Sequence, residues 1–278
     1  MSSEKFFNTK KALITLIAAS LVVIVSLGIR QTFGLFFFDF NADLNISISH
    51  FGFVIGLQLL MWGVFSPIFG FITDRYGGAT AIFIGFLFYL AGLFLFYSGL
   101  NTGYLFTLTI GLLIGIGLGG TAISIPVSVV AKHFPSSNRT IATGIVTCAG
   151  SFGFFVSPLL VRYSLIEIGW EITILYFCFL LGIGLITALF ISTPKTPVGN
   201  NDNNNQTAKE ALIEAFNNKS FIFLTLGFFV CGWHIALVAT HIPTYMMDRG
   251  MPDWTAAMIL ALVGVFNMIG TMGSGYLA

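Results

Sequence analysis

The sequence predicts an all-α integral membrane protein, and two features of its composition carry this prediction. Of its 278 residues, 56% are hydrophobic and only 8% are charged, with a mean hydropathy of +0.92. An ordinary soluble domain has about 25% charged residues. Apolar stretches also recur at roughly the 20 residues that a helix needs to cross a bilayer core about 30 Å thick. Because lipid offers the backbone no hydrogen bonds, such stretches are expected to be helices.

Eight segments reach this length. In chain order they cover residues 12–37, 51–72, 80–99, 104–131, 140–162, 170–192, 219–245 and 255–278. The first segment follows three lysines, as in a secretory signal, but it is longer than the roughly 7–15 apolar residues of a signal core. No small-residue cleavage pattern follows it, so we expect it to be retained as a helix.

A polar stretch divides the segments into six and two. Residues 193–218, TPKTPVGNNDNNNQTAKEALIEAFNN, are rich in asparagine and begin with two closely spaced prolines. We interpret them as a cytoplasmic linker. Residues 1–192 then form a six-helix half, and residues 219–278 form the first two helices of an incomplete second half.

The distribution of basic residues predicts the orientation, because cytoplasmic loops of membrane proteins are enriched in Lys and Arg. Nine basic residues fall on one side: Lys5, Lys10, Lys11, Arg75, Lys132, Arg139, Lys195, Lys209 and Lys219. Two, Arg162 and Arg249, fall on the other. We therefore expect a multi-pass protein of the cell membrane with a cytoplasmic N-terminus.

The loop after the second segment reads GFITDRYGG (residues 70–78) and resembles the signature of the major facilitator superfamily, Gly-x-x-x-Asp-Arg/Lys-x-Gly. The matching residues are Gly70, Asp74, Arg75 and Gly77. The basic residues that usually follow are replaced by Gly-Ala-Thr at 78–80. The resemblance implies a gate whose contacts break when a transporter changes face; an ordinary charged loop is the alternative.

The end of the chain supports the same interpretation. GYLA at residues 275–278 echoes the start of the loop motif and stops where an Asp-Arg pair would come next. The second and eighth segments occupy equivalent positions if the protein consists of two six-helix halves. We expect a chain cut short after the first third of its second half.

Two further stretches resemble the monocarboxylate-transporter-like branch of this superfamily, which includes oxalate/formate antiporters. HFPSSNRTIATGIVTCAGSFG (133–153) is similar to the branch's entry into helix 5, through Phe134, Arg139, Ala142, Gly144, Gly150 and Gly153. CGWHIALVATHIPTYMMDRG (231–250) is similar to its helix 7, through His241 and Pro243. The resemblance implies a substrate site near the membrane midplane, between the two halves.

Arg30 is the only charged residue in the interior of a predicted segment, and no Asp or Glu lies in such an interior; Arg162, Glu171 and Lys219 lie at the ends of their segments. Burying an arginine at a helix centre costs about 2.5–3.5 kcal/mol on insertion scales, so it normally faces a cavity or a partner. The alternative is that it reaches to the membrane surface. In a cavity, its guanidinium can bind a carboxylate through two parallel hydrogen bonds.

Other candidate binding residues have weaker signals. His234 and His241 lie seven residues apart on one helix face and could titrate or hold an anion, or simply bond a neighbouring helix. Gln58, four residues before Trp62, is equally ambiguous. Many monocarboxylate transporters carry Asp and Arg one turn apart on helix 8; here Asn267 and Thr271 stand in those places.

Several apparent signals are expected to be structural. GIGLGG (115–120) fits a loose dinucleotide-binding pattern, but it lies inside a membrane segment, where glycines let helices approach closely. Polar stripes on the fourth and fifth segments either bond neighbouring helices or line a cavity; they comprise Thr121, Ser124, Ser128, Thr143, Thr147 and Ser151. The three cysteines suggest neither disulfides nor a metal site, and we expect no cofactor.

These observations predict a secondary transporter of small organic anions, monocarboxylates or dicarboxylates, with a possible co-transported or exchanged ion. The alternatives are a transport-dead membrane sensor, scaffold or truncated fragment, and a transporter of an unrelated small solute. An enzyme is not expected, since the segments hold no nucleophile, carboxylate pair or metal cluster. A net charge of +1 without a basic patch argues against nucleic acid as a partner.

Overall fold

A computed structural model describes residues 10–99, 103–192 and 208–277. All the regular secondary structure in these residues is helical, and eight helices are long and apolar enough to cross a membrane. The prediction of an all-α membrane protein with eight spans is confirmed.

The eight helices follow the predicted segments closely. They are α1 (Lys10–Leu44), α2 (Ile48–Tyr76), α3 (Gly78–Tyr97), α4 (Gly103–Ala131), α5 (Ser136–Glu167), α6 (Gly169–Ala188), α7 (Lys219–Asp248) and α8 (Asp253–Leu277). The largest differences are at the ends, where polar residues continue a helix beyond its apolar run. We call the end of the bundle at Leu44, Tyr97 and Glu167 the outer end, following the predicted orientation.

The first helix is longer than its apolar segment. Regular α-helix from Lys10–Gln31 passes through a 3-10 turn, Phe33–Phe36, into a further helix, Phe37–Leu44. Asn45, with a φ of 53°, closes it through its backbone N–H. Asp39 and Asp43 therefore belong to this helix, which corrects the expectation that no carboxylate lies within a span.

The fourth helix changes its winding twice along its length. A π-helical stretch, Thr107–Leu113, precedes Ile114–Thr121, and a break follows before Ser124–Ala131. π-Helical stretches often mark functional sites. Here the amide of Gln58 on α2 donates a 2.9 Å hydrogen bond to the Ile110 carbonyl within the stretch. This bond joins α2 to α4.

Close helix contacts occur where glycines remove side chains. A Cβ at Gly117 would lie 2.7 Å from the Gly85 carbonyl of α3, and one at Gly115 would lie 2.6 Å from the Gln58 carbonyl of α2. Real Cβ atoms essentially never approach backbone this closely. The structure confirms that the glycines of GIGLGG serve helix packing.

The fifth helix lies between α1 and α8. A Cβ at Gly153 would come within 2.7 Å of the Ile24 carbonyl on α1, and one at Gly28 would collide with Ser157 on α5. On the other face, a Cβ at Gly264 of α8 would collide with the backbone of Phe155. α5 therefore joins the first six helices to the last two.

An aromatic cluster closes the outer end of the first six helices. Phe40 packs its ring against those of Phe96, Phe106 and Trp170, with centroids 5.2–5.8 Å apart. The Trp170 indole N–H donates to the Asp43 carboxylate at 2.6 Å. The cluster and this bond tie the outer ends of α1, α3, α4 and α6 together.

The predicted linker contains a short helix that its composition did not reveal. Ala208–Asn217 is helical and leads directly into α7. The remainder of the linker, 193–207, lies outside the described residues, as do Lys5 and Ala278.

Candidate functional site

A cavity of about 200 Å³ lies where the first six helices meet α7 and α8. Its polar lining consists of Arg30 from α1, Thr147 and Ser151 from α5, and Asn267 from α8. The apolar lining consists of Leu27, Leu59, Trp62, Ile123, Gly150, Phe154, Gly232, Ile235 and Ala236. Helices from both groups therefore contribute to one space whose described lining includes a cation and no carboxylate.

Arg30 is 4% exposed, and its Nε and Nη2 atoms are buried without a hydrogen-bond partner among the described residues. It therefore faces the cavity instead of reaching to the membrane surface. A buried charge normally pairs with an opposite charge, because desolvation without compensation is costly. Two N–H-bearing atoms of this guanidinium, at the wall of the cavity, are therefore left without an acceptor among the described residues.

A hydrogen-bonded network lies behind Arg30. Tyr89 of α3 is fully buried, lies within electrostatic range of the guanidinium, and donates from its hydroxyl to the Ser26 carbonyl at 3.3 Å. The Ser26 and Thr121 hydroxyls are 2.7 Å apart, and Thr121 also donates to the Gly117 carbonyl at 3.0 Å. These bonds fix α1 against α3 and α4 one turn before Arg30.

The other polar residues of the cavity lining supply both hydrogen-bond donors and acceptors. Thr147 donates to the Thr143 carbonyl at 3.0 Å, so its hydroxyl oxygen presents lone pairs to the cavity. Ser151 bonds the Thr147 carbonyl at 3.4 Å, and a contact this long is weak enough to exchange for a ligand. The Asn267 amide offers both donors and acceptors. The cavity can therefore hold an anionic group at Arg30 and neutral polar groups opposite.

The two histidines of α7 do not join Arg30. His234 lines a neighbouring crevice that shares Phe154, Ile235 and Asn267 with the Arg30 cavity. His241 lies nearer the outer end, where its ring approaches Gly52 of α2. The structure therefore places His234 beside the site and His241 at a contact between α2 and α7.

Gln58 lies outside the lining of the cavity. It is fully buried between α2 and α4, where its amide N–H bonds Ile110. Its Oε1 atom is buried without a partner among the described residues. Trp62, one turn further along α2, lines the cavity instead.

The loop motif between α2 and α3 forms a contact that its sequence did not predict. Asp74 accepts a 2.8 Å hydrogen bond from Lys132 at the end of α4, while the Arg75 guanidinium lies over the Tyr76 ring, 5.5 Å from its centroid. Gly77 has a φ of 95°, a conformation that a residue with a side chain rarely adopts. Gly70 has open space around its Cα hydrogens.

The glycines of the helix-5 motif have different surroundings. Gly150 and Gly153 face α1, where Val23 and Ile24 leave no room for larger residues. A Cβ added at Gly144 would have no neighbour within 4 Å, and Arg139 is exposed at the start of the helix. Of these three glycines, Gly150 and Gly153 therefore serve close packing and Gly144 does not.

The outer ends of α1 and α7 touch through their backbones. A Cβ at Gly34, in the 3-10 turn of α1, would collide with the Ala239 carbonyl and lie 3.3 Å from the Pro243 ring. Ala239, Thr240, Pro243 and Thr244 are buried, whereas the other end of α7 is exposed. The two groups of helices therefore close together at the outer end.

The chain resembles known membrane transporters along nearly its whole length. The model of the Major Facilitator Superfamily matches residues 19–278. An agnestins efflux protein of Paecilomyces divaricatus is 24% identical, over 97% of this chain and 61% of its own length. The hexuronate transporter of Bacillus subtilis is 23% identical, over 85% of this chain and 57% of its own.

A further relative and a solved structure extend the comparison. A probable nitrate transporter of Staphylococcus carnosus is 26% identical over 56% of this chain and 39% of its own length. The crystal structure of a D-xylose-proton symporter superposes with a TM-score of 0.62 over 93% of this chain and 66% of that one, at 16% identity. The chain spans about three fifths of the length of the first two relatives. Its family match, together with eight helices of membrane-spanning length among the described residues, shows that the chain belongs to the Major Facilitator Superfamily.

Proposed function

We propose that this chain is part of a secondary transporter of small organic anions, monocarboxylates or dicarboxylates, in the monocarboxylate-transporter-like branch of the superfamily. The observation that carries the proposal is the buried Arg30 guanidinium, which faces a cavity between two groups of helices without a carboxylate among its lining residues. A transported anion is the counter-ion that this arrangement lacks.

The binding energy comes from an unpaired buried charge. The buried Arg30 guanidinium is already desolvated in the absence of substrate. A carboxylate can form two charge-assisted hydrogen bonds with it, and binding then requires no further desolvation of the arginine. The Trp62 and Phe154 rings give an apolar surface for the body of the anion. Asn267 lies on α8, so a bound anion bridges the two groups of helices.

Transport follows from alternating exposure of this cavity. In transporters of this type, two groups of helices rock around a central site. The contact of Gly34 with α7 holds the two groups of helices together at the outer end, as a conformation that opens toward the predicted cytoplasmic side requires. In the opposite conformation the Gly34 contact separates. The Asp74–Lys132 pair holds α2 to α4 within the first six helices, and the loop motif that contains Asp74 is the proposed gate at the other end.

The charges of the relatives' substrates support an anion. Hexuronate and nitrate, which are named for two of the relatives, are both anions. His234, which lines the neighbouring crevice together with Asn267, is a further candidate for contact with the substrate. We further propose that the N-terminus is cytoplasmic in the cell membrane, from the nine-to-two distribution of basic residues.

An uptake assay with a substrate panel tests this function. The full-length protein is reconstituted into liposomes, and uptake of radiolabelled lactate, oxalate, a hexuronate, nitrate and a neutral pentose is measured with and without a pH gradient. We expect saturable uptake of an organic anion and none of the pentose. Uptake of the pentose alone would contradict the anion proposal, and no uptake of any solute would favour a transport-dead sensor or scaffold.

A further inference from the structure

A second space, separate from the Arg30 cavity, lies between α1, α5 and α6. It is a crevice of about 630 Å³, which we call the α5–α6 crevice. Its walls come from Ile24, Val25 and Ile29 of α1, from the part of α5 between Phe152 and Glu167, and from the part of α6 between Thr173 and Leu180. Neither α7 nor α8 contributes to this lining.

The crevice opens on the lipid-facing surface of the bundle. Leu160 and Tyr163 on α5 are 63% and 68% exposed, and Phe179 on α6 is 68% exposed. Apolar side chains with this exposure in a membrane helix contact lipid chains. No other described residue covers this surface, which leaves the crevice accessible to a lipid.

The chemistry of the walls changes along the crevice. Phe152, Val156 and Leu160 form an apolar inner part, whereas Tyr163 and Glu167 lie toward the outer end. The distance along α5 from Phe152 to Glu167 is about 22 Å, somewhat more than half of a bilayer core about 30 Å thick. Tyrosines are typical of the membrane–water interface. The crevice thus runs from the midplane to the headgroup region of one leaflet.

A second crevice, of about 750 Å³, continues from the first toward the opposite surface. It lies between α1, α5 and α8, and the two crevices share Ile24 and Phe152. One stripe of α5 lines both, with Ile141 and Ile145 in the second crevice. The two apolar crevices meet end to end at the midplane. Each one therefore has the position that an acyl chain takes in one leaflet of the bilayer.

The polar end of the α5–α6 crevice carries a carboxylate. Glu167 is the only charged residue in its lining and is exposed, and Glu171 is exposed in the first turn of α6 nearby. Carboxylates accept hydrogen bonds from a primary ammonium and repel an anionic headgroup. A quaternary ammonium has no N–H to donate.

We propose that the α5–α6 crevice is a binding site for one phospholipid with an ethanolamine headgroup. Its acyl chain lies along Phe152, Val156 and Leu160, and its ammonium donates to Glu167. The lipid thereby fills the gap between α5 and α6 and braces α5, the helix that joins the first six helices to α8.

Photo-crosslinking tests the site. The full-length protein is placed in phosphatidylcholine nanodiscs with a trace of phosphatidylethanolamine carrying a diazirine in its acyl chain, and labelled peptides are mapped by mass spectrometry. Unlabelled phosphatidylethanolamine or phosphatidylglycerol is added as competitor. Val156→Phe fills the crevice, and Leu95→Phe, on the exposed face of α3, is the matched control.

We expect label concentrated on residues 152–180, reduced by Val156→Phe and unchanged by Leu95→Phe. Phosphatidylethanolamine should compete about two- to five-fold better than phosphatidylglycerol, the range for a surface charge pair, and Glu167→Gln should remove this preference. Label spread equally over α3 and α5 would overturn the site. A competitor preference that survives Glu167→Gln would overturn the headgroup assignment.

Discussion

The Asp74 carboxylate of α2 lies 2.8 Å from the Lys132 ammonium of α4, so the loop motif pins two helices within the first six. Asp74 is 74% exposed and Lys132 is 33% exposed in their side chains. The partner of Asp74 therefore lies 58 positions further along the chain. The sequence identified Lys132 only as one of nine basic residues on the predicted cytoplasmic side.

A double-mutant cycle should detect this pair as a weak coupling. Asp74→Asn and Lys132→Gln, alone and together, are compared by thermal unfolding of the full-length protein in detergent. Because both side chains are solvated, we expect a coupling of about 0.2–1 kcal/mol that declines with added salt. Arg75→Gln serves as the control and should show no coupling to Asp74. Additive effects of the two changes would contradict the pair.

Two glycines of α5 should respond oppositely to alanine. In an open helix position, Gly→Ala stabilises by about 1 kcal/mol, and Gly144, with no neighbour within 4 Å of its added carbon, should follow this rule. At Gly153 the added carbon meets the Ile24 carbonyl, so α1 and α5 must separate and the net effect should be destabilising. Thermal unfolding of Gly144→Ala and Gly153→Ala measures this. Equal stabilisation by both would contradict the α1–α5 packing.

Alanine at Gly34 should disfavour closure of the outer end. Its Cβ would collide with the Ala239 carbonyl of α7, whereas a Cβ at Gly52 would meet the His241 ring at an ordinary 3.4 Å. Spin labels on the outer ends of α1 and α7 should therefore report a population shift toward longer distances in Gly34→Ala. Gly52→Ala is the control and should match the wild type. Unchanged distances in Gly34→Ala would show that this contact does not control closure.

Loss of the bond between Trp170 and Asp43 should weaken the outer end of the bundle. Trp170→Phe retains an aromatic ring but removes the N–H that donates to Asp43 at 2.6 Å. Because the exposed Asp43 can regain water, we expect the free energy of unfolding to fall by about 1 kcal/mol, the usual net contribution of one hydrogen bond. Trp254→Phe, at a 62% exposed position on α8, should be neutral. An equal loss of stability in Trp170→Phe and Trp254→Phe would attribute the loss to the smaller ring and not to the hydrogen bond with Asp43.

The fold could be predicted from apolar segment length because the bilayer sets one dominant constraint. The α2 and α3 spans follow directly from it. The continuation of α1 to Leu44 could not, since hydropathy falls where Asp39 and Asp43 enter the helix while the backbone continues. The helix at Ala208–Asn217 was missed because the asparagine-rich composition of the whole linker obscured the local pattern AKEALIEAF.

The candidate site was only partly predictable. A lone arginine in an apolar run indicates Arg30, but its neighbours depend on how distant helices pack. Tyr89 and Ser26 gave no signal, because single polar residues in membrane helices are common and only the fold brings these two together at 3.3 Å. Gln58 was an ambiguous candidate for substrate binding and lies between α2 and α4, outside the lining of the cavity, since helix rotation is not visible from spacing alone.

The central claim is that Arg30 binds the transported anion. Uptake of the anion identified by the substrate panel is measured in liposomes for the wild type, Arg30→Lys and Arg30→Gln, with reconstituted protein amounts matched. We expect Arg30→Gln to lose uptake by about 100-fold or more, since an interaction with a buried charge is worth roughly 3 kcal/mol or more. Arg30→Lys should retain only part of the activity. Lysine keeps the positive charge but cannot form the two parallel hydrogen bonds that a guanidinium forms with a carboxylate. Uptake by Arg30→Gln at the wild-type rate would contradict the claim.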